Sequence, residues 1–156
     1  MQQKTTSAIL ANENDKKEII DMDIRVNTIE ALLMFLGIAV KESRKVYEAA
    51  DRKMMNVDAM KAKGTYEELE RICEQLRTAL DEKENGKDYV IFLFEFKSMF
   101  SRLTDIQEHV GTLKNLTKAI DYQTDDQKEE IAELEGRSHA YYVFFKHLLD
   151  SRIQNA

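Results

Sequence analysis

The sequence predicts an all-α fold, an elongated antiparallel helical bundle with coiled-coil-like packing. Three observations carry this. The 156 residues include no proline and only five glycines, so the chain can sustain long helices and lacks the breakers that tightly turned β folds need. Hydrophobic residues make up 43% of the chain, too many for a disordered polymer. Apolar residues also recur at spacings of three and four, in phase over long stretches, which is the signature of helices with one buried seam.

Residues 1–14 read as a flexible N-terminal segment and residues 15–154 as a single bundle domain. A first helix is expected to open at Asp15, with Glu18 completing a capping box. Its seam is Ile19, Met22, Val26, Ile29, Leu33, Leu36, Val40, Ser43, Tyr47, Ala50, Met54 and Val57, broken only by Ser43. That pattern predicts one helix to about Lys63, roughly 70 Å long, with Gly64 as its C-terminal stop.

A second helix is expected from Thr65, with Glu68 as capping partner and a seam of Tyr66, Leu69, Cys73, Leu76 and Leu80. After "DEKENGKD" (81–88) the seam resumes as Tyr89, Phe92, Phe96, Met99, Leu103, Ile106, Val110, Leu113, Thr117 and Ile120. The two seams differ by a two-residue slip, which turns the apolar face by about 200° and requires a break near Gly86. "YVIFLFEF" taken alone has strand composition; the heptads beyond it favour helix. A last helix is expected from Thr124, capped with Gln127, to about Arg152, with Gly136 as a point of kinking.

Two arrangements satisfy these elements. In the favoured one the chain runs straight past Gly86, giving three long helices of which the second is broken there. The uncharged run "ALLMFLGIAV" (31–40) then packs on residues 87–96 inside the bundle. In the alternative the chain reverses at Gly86 into a four-helix bundle. The run then needs a cover from outside, with Leu33, Leu36 and Val40 as the oligomer interface. The run is too short to span a membrane. Either arrangement favours a homo-oligomer.

Composition excludes some functions. A net charge of −6 has the wrong sign for direct nucleic-acid binding through the overall field. A single cysteine, Cys73, excludes an internal disulfide framework and reads as a small buried hydrophobe in a cytoplasmic protein. The opening "MQQKTTSAILANEND" lacks the pattern of a secretion signal. There is no glycine-rich phosphate loop, no paired-cysteine zinc spacing and no HExxH. Asp105 with His109, and Glu135 with His139, have i,i+4 spacing and read as exposed helix pairs.

One acidic stretch stands out. Between Asp121 and Glu135 lie seven acids and one base, Lys128. Asp121, Asp125, Asp126, Glu129, Glu130 and Glu133 are the candidate partner-binding residues, an acidic tip placed by the three-helix arrangement near Glu13, Asp15, Glu18, Asp21 and Asp23. A helix dipole also favours acids in a first turn. Within this stretch "EEIAE" (Glu129, Glu130, Glu133) resembles the EExxE spacing of all-α nucleotide pyrophosphatases. That resemblance implies carboxylates holding Mg²⁺ against a triphosphate. The second acidic pair of such enzymes has its nearest counterpart in His147 and Asp150, where a His replaces the expected Glu.

The sequence therefore predicts a non-enzymatic protein–protein interaction module (scaffold, adaptor, chaperone or inhibitor), with no catalytic, cofactor or metal-binding residues and no membrane contact. Its partners are other proteins, basic ones among them. The competing expectations are the Mg²⁺-dependent pyrophosphatase and an acidic mimic of DNA that inhibits a nucleic-acid-binding protein.

Overall fold

The structure, a computed structural model, describes residues 23–83, 86–87, 89–91, 93–120 and 124–154. The expected boundary at residues 14 and 15, the Asp15 helix start and Asp121 lie outside the described residues. The fold is an all-α helical bundle: β1 (Asp23–Arg25), α1 (Val26–Arg52), α2 (Asn56–Glu82), β2 (Tyr89–Ile91), α3 (Leu93–Ile120) and α4 (Asp125–Gln154). Helices of this length are about 40 Å long.

The first reversal comes earlier than glycine placement suggested. α1 ends in a Schellman motif: the Met54 amide donates to the Asp51 carbonyl at 3.0 Å and the Met55 amide to that of Ala50 at 2.9 Å. Met54 takes the left-handed position, φ 58°, where glycine is the usual occupant. The expected stop at Gly64 is thus corrected. Gly64 lies within α2, and Thr65, expected to open a helix, donates its hydroxyl to the Lys61 carbonyl one turn back at 2.9 Å. With the turn at 53–55, α1 folds down on α2 so that Arg44 meets Glu70 and the Tyr47 ring meets the Tyr66 ring edge-on at 5.8 Å.

The second reversal falls where the seams slip. α2 ends at Glu82, Gly86 takes φ +84°, and the chain enters β2. This strand pairs antiparallel with β1, Asp23 opposite Ile91 and Arg25 opposite Tyr89. The ribbon ties the start of α1 to the start of α3, so the chain turns back after α2 rather than running straight past Gly86. The strand character of "YVI" prevails over the heptad phase because Asp23–Arg25 supplies a pairing partner that lies far away in sequence.

α4 opens as expected. Thr124 accepts from the Gln127 amide at 3.1 Å, and Gln127 accepts from the Thr124 amide at 2.9 Å. α4 then runs unbroken through Gly136. It lies parallel to α2, and the two glycines are why they pack so closely. A Cβ on Gly64 would meet the backbone carbonyl of Glu133; one on Gly136 would meet that of Lys61. The Thr65 hydroxyl also reaches the Gly136 carbonyl at 3.1 Å.

The core draws on every helix: Ile29, Leu32 and Leu36 from α1; Leu69, Ile72, Cys73 and Leu76 from α2; Met99, Phe100 and Leu103 from α3; Tyr141, Phe144, Phe145 and Leu148 from α4. Phe100 stacks on Phe145 at 4.8 Å between centroids. Burying the larger of these side chains stabilises by about 1.5–3 kcal/mol each. Among the described residues, no helix is long and apolar enough to cross a membrane.

Candidate functional site

The run "ALLMFLGIAV" proves apolar on all sides of its helix, and the fold uses only one side. Leu32 and Leu36 are buried, and Leu33, Ala39 and Val40 pack partly against the core, chiefly on α2. The candidate interface residues are thus inward: Leu36 wholly, Leu33 and Val40 in part. Outward, Met34 is 72% exposed and Phe35 and Ile38 are each 57% exposed. Phe35 stacks on His147 of α4 at 5.4 Å between ring centroids. Glu30, Met34, Ile38, Lys41 and Lys45 follow one another at spacings of four, four, three and four, and all are exposed. They form a single stripe opposite the core. Apolar in the middle, it is acidic at one end and basic at the other.

A second feature lies between α2 and α3. Both pack on α4 but hardly meet each other, and the gap is a cleft of about 860 Å³. Behind three of its lining residues, Arg102, Arg137 and Tyr141, sits Glu68, 0% exposed, the centre of a charged network. Arg102 of α3 donates through Nε to Oε2 at 2.9 Å and through Nη2 to Oε1 at 2.5 Å. From α4, Arg137 donates to Oε1 at 3.0 Å and the Tyr141 hydroxyl to Oε2 at 2.8 Å. Arg137 also holds Glu67 and Glu133, each at 2.9 Å.

Burial alone would raise the Glu68 pKa; the hydrogen bonds from Arg102, Tyr141 and Arg137 outweigh it and hold the carboxyl below its ordinary range. Burial and the adjacent Glu68 carboxylate push the Tyr141 hydroxyl well up, so it stays a donor. Burial raises the Cys73 thiol and lowers His139. None of Glu68, Arg102, Arg137 or Tyr141 stood out in the sequence. Glu68 read as a cap because the helix start was misplaced, and the arginines are simply charged residues beside apolar seams.

Three of the acidic residues of α4, Glu130, Glu133 and Glu135, take ordinary structural partners. Asp125 and Asp126 are exposed in the first turn, beside the Thr124 cap. Glu130 lies 3.5 Å from His109 and Glu133 pairs with Arg137. Glu129 is half-buried. Glu135 pairs with Lys114 at 3.0 Å rather than with His139. Of the acids expected beside this acidic turn, Glu13, Asp15, Glu18 and Asp21 lie outside the described residues, and Asp23 opens β1 at the other end of the bundle. The parallel register of α2 and α4, fixed by Gly64 against Glu133 and Thr65 against Gly136, sets the acidic turn level with the 53–55 turn. Among the described residues, no three His, Cys, Asp or Glu side chains converge as metal ligands. No protein-family model, curated protein or solved structure matches the chain.

Proposed function

We propose that this protein is a non-enzymatic interaction module that assembles with a second copy of itself through the outer face of α1. The observation that supports this reading is the exposure of Met34, Phe35 and Ile38 side by side on one helix. Large apolar side chains grouped on a surface are costly to leave in water and mark contact sites. The ends of the stripe favour a second copy over an unrelated partner. Two α1 helices laid antiparallel about Ile38 bring Glu30 of each copy beside Lys45 of the other. This is the self-complementarity that a two-fold interface requires. Lys45 has only a loose, exposed contact with Glu42 at 3.8 Å, so little is lost in re-pairing it.

Sedimentation velocity of the full chain tests this. The expected result is a dimer that Met34→Glu with Ile38→Glu converts to monomer, with the thermal midpoint of the monomer kept. Glu30→Lys alone should weaken the dimer, and Glu30→Lys with Lys45→Glu should restore it. A wild-type chain that is monomeric at all concentrations reached, or a dimer indifferent to these changes, overturns the reading.

A further inference from the structure

The cleft between α2 and α3 is unlike the rest of the molecule in its charge. We propose that it binds a small organic phosphate that also carries a hydrogen-bond donor, such as a hydroxyl group. Four cationic side chains line it, Arg71, Lys97, Arg102 and Arg137, against one carboxylate, Asp105, in a chain of net charge −6.

Two of the four are committed: Arg102 and Arg137 hold the buried Glu68. Arg71 and Lys97 form no ion pair among the described residues. They stand on opposite walls. The antiparallel register that sets Glu68 against Arg102 puts Arg71 level with residue 99, so Lys97 lies within a turn of it across the gap. A guanidinium fork and an ammonium facing one another suit a phosphate dianion, which accepts from several donors at once.

A neutral group supplies the second half of the inference. The Oε1 atom of Gln75, on the α2 wall, is buried and has no hydrogen-bond partner among the described residues. A buried acceptor left unmade is unfavourable, and a ligand hydroxyl or amine would satisfy it. Met99, Ile106 and Leu134 add an apolar surface for a short carbon skeleton. The volume lies within the range of small-molecule sites.

The test is a ³¹P NMR titration of the full chain at low salt with two probes, glycerol 3-phosphate and inorganic phosphate. Both are expected to saturate, glycerol 3-phosphate at lower concentration. Arg71→Gln with Lys97→Gln should weaken both by roughly tenfold or more. Both residues are exposed, and a melting curve by circular dichroism confirms that the variant is folded. Gln75→Leu should weaken glycerol 3-phosphate and leave inorganic phosphate unchanged. No saturation by either probe below about 10 mM overturns the site. So does binding that survives the double substitution. Equal affinity for the two probes, untouched by Gln75→Leu, overturns the requirement for a donor.

Discussion

Glu68 and Arg102 face each other from α2 and α3 across a gap that the helices themselves do not close, joined by two hydrogen bonds of 2.9 and 2.5 Å. With Arg137 and Tyr141 from α4 on the same carboxylate, one wholly buried side chain ties three helices together.

Removing the carboxylate leaves the Arg102 guanidinium partly buried without its partner and takes one of three carboxylates from Arg137. Glu68→Gln is expected to destabilise the fold by about 3 kcal/mol, as breaking a buried ion pair does. Urea unfolding measures this. Replacing Glu68 and Arg102 together by Leu and Met should cost less than the single substitution, because the unpaired cation is removed and Arg137 keeps Glu67 and Glu133.

The same carboxyl sets a pH dependence. Its pKa in the fold lies below the ordinary value of 4.5. Its contribution is therefore fully present above the unfolded pKa and is lost as the pH falls through the lower, folded one. Unfolding midpoints measured from neutral pH downwards should drop once the pH passes below about 4.5, and Glu68→Gln should flatten that part of the profile.

Glycine substitutions distinguish close packing from ordinary helix propensity by sign. At Gly37 and Gly111 an added Cβ meets nothing within 4 Å, so Gly→Ala there should stabilise by about 0.5–1 kcal/mol. At Gly64 and Gly136 the same change drives a methyl into the backbone of the opposite helix, which cannot move aside as a flexible side chain would. Those variants should lose about 1–3 kcal/mol or more. Thermal melts of the four alanine variants decide it.

Met54 holds a backbone conformation that costs an L-residue roughly 1–2 kcal/mol, and its side chain is 81% exposed. Met54→Gly relieves the strain and gives up little packing. It is expected to raise stability by up to about 1 kcal/mol after the entropy of the more flexible unfolded chain is counted. A chemical denaturation midpoint reads this directly.

Thr124→Ala removes the oxygen that accepts the Gln127 amide at the start of α4, and should cost about 1 kcal/mol. Asp125→Lys with Asp126→Lys should cost about 0.3–1 kcal/mol per residue, through the helix dipole.

What the sequence by itself determined was local. The absence of proline, the three-and-four spacing and the cap at Thr124 follow from interactions within a few residues. The helical class, the break in the 81–88 stretch and the start of α4 were all legible from them. Burial of Cys73 followed from its place on an apolar seam. The tertiary structure alone decided the rest. Helix α1 stops at Arg52, with Met54 in the left-handed position that suits glycine, because Leu32, Leu36 and Ala50 are buried once the chain folds back there. Gly64, which looked like a stop, serves the packing of α2 on α4, and its partner Gly136 is seventy-two residues away. "YVI" becomes a strand only because Asp23–Arg25 lies beside it, and that pairing goes with the return of the chain after α2. Glu68 becomes a buried anion only when Arg102 and Arg137 arrive from two other helices. Each of these depends on groups distant in the chain, and helical periodicity carries no information about which distant groups will meet.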